Sequence, residues 1–323
     1  MKNLLLIVCT LFFFNLNFYA QTTEPESTLR TTTTLADSLD GWKKGGLISL
    51  SLAQAAFNNW VAGGKNSFSL NGLLSLYANL KKGKNTWDNM LDIGYGILQQ
   101  GKDGIIKTDD KIDLTTKYGR ALTKKLFFAA LLNFKTQMTP GYNYPNTTNK
   151  ISDLLAPGYL IVAVGIDYKP DGHFSAFFAP ISSKNTIITN TKLADSGAFG
   201  VKKATYDADN NLITHGKKFR SEFGGYLRLV YQNTFFKEKN ISVLSKLDLF
   251  SNYLNNPQNI DVSWETILGF KINKFLSTNI TTHLIYDDDI KIEIDNNNDG
   301  IIDEKGPRLQ FKEVLSIGFT FKF

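Results

Sequence analysis

Residues Ser67–Leu80 read SFSLNGLLSLYANL, a run in which apolar and polar side chains alternate. One face of the run carries Phe68, Leu70, Leu74, Leu76 and Leu80. The other face carries Ser67, Ser69, Asn71, Ser75 and Asn79. Alternation with a period of two over this length is typical of a β-strand that has one apolar face and one polar face. The fold must therefore give the two faces different surroundings.

The same alternation returns along the whole chain and predicts twelve strands. They are 44–57, 67–80, 87–100, 110–121, 125–138, 158–169, 173–183, 218–234, 240–254, 259–272, 275–287 and 309–323. Short turns such as Leu122–Lys124 alternate with long polar loops such as Lys184–Lys217. An even number of strands with short and long connections at opposite ends is typical of an outer-membrane barrel. The sequence therefore predicts an all-β fold, a transmembrane antiparallel up-and-down β-barrel of about 12 strands.

A soluble β-sandwich also alternates, and two features favour the barrel over it. Aromatic residues recur near both ends of the strands on the apolar face, as at Trp87 and Tyr95, and two interfacial belts are expected of membrane barrels. The polar face also carries more charges than a dry core between two sheets would satisfy. We therefore expect the apolar face to meet outer-membrane lipid and the polar face to line a lumen.

The N-terminus predicts export. A basic head at Lys2, an apolar run over Leu4–Phe14 and a small residue at Ala20 are typical of a cleaved signal peptide. We expect residues 1–20 to be this peptide, 21–43 a periplasmic segment and 44–323 the barrel. The apolar run is too short for a membrane helix, and Cys9, the single cysteine, lies within it. The expected location is the outer membrane of a Gram-negative bacterium, with both termini periplasmic.

The net charge of +6 does not indicate nucleic acid as a partner, because the basic residues form no dense stripe and export argues against it. The C-terminal strand, which alternates up to Phe323, resembles the terminal strand by which outer-membrane barrels are recognised for insertion. That resemblance implies the barrel assembly machinery as a partner. Closure of this strand against the first would remove both edges of the sheet, which lipid does not tolerate.

Three segments resemble an uncharacterised outer-membrane β-barrel family of Bacteroidota, a family of unknown function. They are Gly45–Ser67, which contains the Asn59-Trp60-Val61-Ala62-Gly63-Gly64 loop, then Trp87–Asn89, and the stretch from Arg308 to the end. The loop is the most specific of them, since alternation fits any barrel. The resemblance implies the fold and the location, and it transfers no active site.

Charged residues on the polar face are candidates for the lumen. They are Arg220, Glu222, Arg228, Lys246, Asp248, Asp261, Glu265, Lys271 and His283. The length of a short turn also predicts which residues of the two strands it joins lie opposite each other. A three-residue loop at Lys237–Lys239 places Arg228 opposite Asp248, and one at Asn273–Phe275 places His283 opposite Glu265. Opposite charges paired across two strands stabilise a sheet by roughly 0.2–1 kcal/mol.

One loop resembles calcium-binding loops of the EF-hand and thrombospondin types. It places oxygen ligands at alternate positions, with Gly300 at the tight turn, and its candidate ligands are Asp295, Asn297, Asp299, Ile301 and Asp303. Gly306 stands where an EF-hand has its bidentate glutamate. A structural Ca²⁺ of modest affinity is one interpretation, and an Asn/Asp-rich turn without metal is the other.

No catalytic residues are predicted, because the three histidines are scattered and no nucleophile motif occurs. Three functions remain open. The first is a small-solute, porin-like channel or uptake barrel. Twelve strands lie between the eight whose side chains fill the interior and the sixteen that leave an aqueous channel. The second is a closed barrel with a structural, adhesive or complex-forming role, which bulky inward residues such as Tyr226 and Phe250 favour. The third and weakest is a lipid-modifying enzyme.

Overall fold

A computed structural model describes residues 39–57, 65–102, 104–236, 240–273, 276–294 and 303–323. The predicted signal peptide, most of the predicted N-terminal segment and the Asn59–Gly64 loop lie outside the described residues. In the described part of the chain, no helix has both the length and the hydropathy needed to cross a bilayer.

Twelve antiparallel strands close into one barrel, which confirms the predicted fold class. The strands are β1 (Gly41–Ala55), β2 (Ser67–Lys82), β3 (Asn85–Gln100), β4 (Ile105–Ala121), β5 (Leu126–Thr136), β6 (Gly158–Tyr168), β7 (Phe174–Ile187), β8 (Phe219–Phe235), β9 (Ile241–Asn252), β10 (Ile260–Lys271), β11 (Leu276–Tyr286) and β12 (Gln310–Lys322). Each strand pairs with the next along the chain, and β12 pairs with β1.

The long loops carry small elements of their own. Two-stranded hairpins join Gly141–Tyr142 to Lys150–Ser152, Thr205–Tyr206 to Leu212–Thr214, and Lys291–Ile294 to Glu304–Pro307. The loop after β7 also contains α1 (Thr191–Asp195), which is capped by the side chain of Asn190, and a 3-10 turn at Ala198–Gly200. All of these elements lie at the end of the barrel that carries the long loops.

Three strand bounds differ clearly from the sequence prediction. The first strand begins at Gly41 rather than Lys44, because Gly41–Lys43 pair with Lys81–Asn79 of β2. The fourth strand begins at Ile105 rather than Asp110, because Ile105–Lys107 pair with Gln99–Ile97 of β3. The seventh runs on to Ile187 rather than ending at Ser183, although Pro180 interrupts it.

β-Bulges in the pairing of β7 with β6 and in its pairing with β8 accommodate Pro180. On the β6 side, Gly165 faces the bulge. A Cβ at that position would lie 2.0 Å from the carbonyl oxygen of Phe178, so only glycine lets the two backbones approach this closely.

Burial in the barrel is inverted relative to a soluble protein. Side chains such as Ser242, Asn279 and Asp167 are at most 2% exposed inside, while Trp264 and Phe178 are about half exposed outside. The outer wall bears large apolar side chains all round, among them Ile48, Trp87, Tyr118, Phe128, Val162, Phe223 and Phe319. This distribution is the one expected of an outer-membrane barrel, whose outer face meets lipid.

Candidate functional site: the barrel lumen

The register of the two analysed hairpins is the one that the sequence predicts. Arg228 pairs with Asp248 across β8 and β9, and Glu265 pairs with His283 across β10 and β11. Because side chains alternate strictly, these pairings place all four residues inside the barrel. A one-residue slip would have turned their charges towards the outer face.

The predicted lumen charges are brought into several separate contacts. Arg228 forms a two-point ion pair with Asp248, with Nε–Oδ1 at 2.6 Å and Nη2–Oδ2 at 3.0 Å. Both side chains are more than 90% buried. The hydroxyl of Tyr226 donates a hydrogen bond to Asp248 Oδ1 at 2.7 Å. The carboxylate of Asp248 is thus held from two sides. Lys271 lies farther towards the short turns, opposite the buried Ser277.

An apolar cluster fills the wall beside this ion pair. It consists of Ala129, Leu131, Ala163, Phe177, Ala179, Tyr226 and Phe250, all at most 4% exposed, on the adjacent strands β5 to β9. Phe177 and Tyr226 meet edge to face with their ring centroids 6.3 Å apart. The facing wall is built from smaller inward residues, as at Ser49 and Ser75. Free space in the lumen is therefore displaced towards β12, β1 and β2.

Ion pairs cross the middle of the lumen. Lys111 Nζ on β4 lies 3.4 Å from Glu265 Oε1 on β10, and five strands separate these two in either direction around the ring. Lys246 Nζ on β9 lies 3.4 Å from the second oxygen of Glu265 and 3.8 Å from Asp113 on β4. Since the pairs join opposite walls, they divide the lumen at this level.

A second buried network lies at the end of the barrel with the short turns. Lys169 Nζ lies 3.0 Å from Asp88 and 3.5 Å from Asp167, and Lys117 Nζ lies 2.7 Å from Asp167. The ammonium of Lys169 also lies 5.2 Å from the ring centroid of the buried Phe127. Charges and an aromatic ring thus occupy this level of the interior.

A third network lies at the long-loop end of β7 and β8. Lys184 Nζ contacts Asp261 at 2.6 Å and Asp287 at 2.7 Å. Arg220 joins Glu222 at 2.5 Å, pairs with Asp289 and donates to the carbonyl of Gly200 in the loop after β7. This network therefore ties two long loops to the inner wall of the barrel.

The loop after β7 has its own small core and a polar clamp. Ala156, Ile188, Leu193, Ala194 and Val201 pack together and are buried. The carboxylate of Asp195 accepts a 2.7 Å hydrogen bond from the Gly216 amide and lies 3.0 Å from His215 Nδ1. The Gly216 amide, followed by His215, holds the pKa of Asp195 below its ordinary value.

A cavity of about 600 Å³ lies on the long-loop side of the crossing ion pairs. Its charged lining comprises Lys111, Lys135, Lys246 and Lys312 together with Asp109, Asp110, Asp113, Glu265 and Glu313, and serines of β1, β2 and β12 form part of the remaining wall. Lys312 Nζ lies 2.6 Å from Asp109 across the cavity, and the side chain of Lys312 is 46% exposed. The cavity size is within the range of small-molecule sites, and its lining carries both signs of charge.

The sequence prediction missed half of these lumen charges. Lys111, Asp113 and Lys117 alternate along β4, so strand parity was a signal for their inward placement. Lys135 follows the same rule on β5, whereas the bulge at Pro180 reverses the parity of β7 before Lys184. Which charges form ion pairs depends on the distance between the walls of the closed barrel. Strand parity gives no information about that distance.

Ser263 and His283 both line the cavity, and Ser263 Oγ lies 3.0 Å from His283 Nε2. This distance meets the first requirement of a nucleophile–base pair. The neighbouring carboxylate of Glu265 is engaged by Lys111 and Lys246, as described above.

The predicted calcium ligands Asp295, Asn297, Asp299 and Ile301 lie outside the described residues, and Asp303 is exposed at the edge of that segment. Among the residues that the structure describes, no group of three His, Cys, Asp or Glu side chains has a geometry suited to a metal ion. Calcium binding by this loop stays a prediction from the sequence.

Fold and lumen together define a class, a closed twelve-stranded barrel of the outer-membrane type with charges of both signs inside. Residues 52–142 match a family described as a protein of unknown function, DUF3078. No curated protein matches the chain in sequence.

Several solved outer-membrane proteins are similar in structure. The COG4313 outer-membrane channel from Pseudomonas putida F1 is 12% identical, covers 93% of this chain and 100% of its own, and has a TM-score of 0.38. The translocator domain of the autotransporter NalP from Neisseria meningitidis is 7% identical over 89% and 91% of the two chains, with a TM-score of 0.35. OprB from Pseudomonas putida is 10% identical over 87% and 94%, with a TM-score of 0.28. Similarities at these scores carry no argument about solutes.

Proposed function

We propose that this chain is an outer-membrane barrel that admits small polar solutes into its lumen through a narrow, ion-pair-gated path. The observation that carries the proposal is the mixed-charge cavity of about 600 Å³, bounded at mid-level by the bridge from Lys111 to Glu265. A cavity lined by both ammonium and carboxylate groups favours small zwitterionic or neutral polar solutes over ions of one sign.

The exposed outer wall supports the membrane location. Contiguous apolar surface on this scale is not stable in water, and it suits the hydrocarbon layer. We further propose that the long loops face the outside of the cell and that both termini are periplasmic, because short periplasmic turns are the rule in bacterial barrels. Membership of the Bacteroidota family that the sequence resembles is part of the same proposal.

Liposome swelling and planar-bilayer recording test the function together. Liposomes that contain the purified protein should swell in a zwitterionic amino acid and stay unchanged in a trisaccharide of similar osmolarity. The bilayer current should consist of small, brief openings, since the lumen passes solutes only when the crossing ion pairs separate. Swelling in the trisaccharide would mean an open pore and would contradict the proposal.

A closed barrel with a structural, adhesive or complex-forming role is the second candidate. The buried apolar cluster around Tyr226 and the Lys169 network favour it, because both fill the interior below the cavity. Liposomes that swell in none of the solutes, with a protein shown to be folded, would support this role over conduction.

We propose no enzymatic activity. A serine-reactive fluorophosphonate tests this directly at the Ser263–His283 pair, since an activated serine is labelled and an ordinary hydroxyl is not. The parent protein should remain unlabelled. Labelling that disappears in Ser263→Ala would establish a nucleophile and contradict this part of the proposal.

A further inference from the structure

The seam between β1 and β12 is paired over only part of its length. Ladder pairs run from Leu47↔Lys322 to Ser51↔Gly318, and two further backbone hydrogen bonds join Gly46 to Phe323. Beyond Ser51, no described residue of β1 pairs with β12. Along its other edge, β1 stays paired with β2 up to Ala55↔Ser67.

The unpaired part is long on the β12 side. Residues 310–317 pair with β11 on one edge, and on the other edge no residue of β1 within the described range pairs with them. Leu315 and Ile317 are 64% and 52% exposed, and Leu52, which would continue the ladder opposite Ile317, is 52% exposed. The two strands therefore separate towards the long-loop end.

The paired half of the seam is secured from inside by hydroxyl groups. Ser277 and Thr320 lie 3.3 Å apart, and Thr320 donates to Ser49 at 3.2 Å, which links β11, β12 and β1. All three side chains are buried. The seam thus has a locked half and an open half, with the boundary at Ser51 and Gly318.

An unpaired strand edge within a bilayer needs water or another partner for its backbone groups. The lumen cavity lies against this edge, because residues 312–316 of β12 and Ser49 and Ser51 of β1 are part of its lining. On the outer wall the gap is flanked by the apolar Leu52, Leu315 and Ile317 and by the exposed Glu313, while serines and charges lie behind it. The gap therefore lies laterally between the lumen cavity and the hydrocarbon layer.

We propose that this gap is a lateral portal by which a single-chain amphiphile with a zwitterionic head group enters the cavity from the membrane. The head group would lie among the ammonium groups of Lys111, Lys246 and Lys312 and the carboxylates of Asp113 and Glu265. The acyl chain would pass between Leu52 and Leu315 into lipid. This inference rests on the proposed membrane location and is independent of conduction along the barrel axis.

The test is a cysteine pair that closes the portal. Ala53 and Ser316 would face each other inside the barrel if the present register continued, so Ala53→Cys with Ser316→Cys locks the open half when oxidised. Ser49→Cys with Thr320→Cys is the matched control, because it joins the same two strands on the same face where they are already paired. If the sulfur atoms of the Ala53→Cys and Ser316→Cys pair do not meet, a short bifunctional thiol reagent cross-links them instead.

The probe is a lysophosphatidylethanolamine with a diazirine in its acyl chain, supplied in nanodiscs that contain the folded protein. Photolabelling should fall on residues that line the cavity behind the gap, such as Ser51 and Val314, which bilayer lipid does not reach from the outer wall. It should be lost in the locked variant, return on reduction and persist in the oxidised control. Amino-acid swelling, measured on the same variants, should survive the lock, so failure of the portal and failure of conduction are distinguishable.

Two results would overturn the portal. One is labelling of these cavity residues that is unchanged when the Ala53/Ser316 pair is locked. The other is efficient disulfide-linked dimerisation of the single Ser316→Cys variant without any acyl labelling, which would assign the free edge to strand addition by a second chain.

Discussion

Lys111 on β4 and Glu265 on β10 stand on opposite walls of the barrel, and their charged atoms lie 3.4 Å apart. A pair of side chains that meets across the full width of the ring divides the lumen at its level. Lys246 binds the other oxygen of Glu265, so this one carboxylate joins three strands across the lumen. In the proposed channel, Glu265 is therefore the residue on which passage through the lumen should depend most.

The Arg228–Asp248 pair should dominate the stability of the inner wall. Arg228→Met leaves the carboxylate of Asp248 buried without its main partner, and breaking such a pair costs about 3–5 kcal/mol. Urea unfolding in lipid vesicles, followed by tryptophan fluorescence, measures the loss. Arg308→Ala is the control, because Arg308 pairs with Glu304 on an exposed loop, where ion pairs contribute ~0–1 kcal/mol. Equal losses in the two variants would contradict the assigned role.

Gly318 should be intolerant of any side chain because it ends the paired half of the seam. A Cβ there would lie 2.3 Å from the carbonyl oxygen of Leu50, so Gly318→Val forces the two strands apart. We expect loss of heat-modifiable migration and of protease resistance. Gly72→Val is the matched control, since the nearest atom to its Cβ would be 4.0 Å away. A fully resistant Gly318→Val barrel would refute the seam geometry.

The Asp195 clamp should make the loop after β7 sensitive to acid. The folded-state pKa of Asp195 lies below its ordinary value of 3.8, so the clamp stabilises the loop at higher pH and is lost as pH falls through the folded pKa. Hydrogen exchange at Gly216, corrected for intrinsic rates, should accelerate at that point. Asp195→Asn should remove this pH dependence. The same acid transition in parent and variant would show that another group controls the loop.

The strands and the hairpin registers were predictable because their causes are local. Alternation identifies the strands, and a short turn fixes the sum of paired residue numbers, as for Arg228 with Asp248. The extent of β7 was not predictable in this way. Pro180 argues against a ladder, and only the bulges opposite Gly165 and Gly225 show how the sheet accommodates it.

The candidate site was predictable only as a list of inward charges. Which charges meet across the lumen depends on the width and tilt of the closed barrel, as with Lys111 and Glu265, which are 154 residues apart in sequence. The partial pairing of β1 with β12 also depends on the geometry of the closed barrel. Nothing in the alternation of β12 indicates that its pairing with β1 stops at Gly318.

Single-channel conductance of Glu265→Ala, compared with the parent and with the loop variant Glu304→Ala, tests the gating account most directly. Loss of Glu265 frees Lys111 and Lys246 from the crossing bridge. The account predicts longer and larger openings with a shift towards anion selectivity, while Glu304→Ala behaves like the parent. A folded Glu265→Ala barrel with the parent's conductance and selectivity would contradict the claim that this bridge closes the lumen.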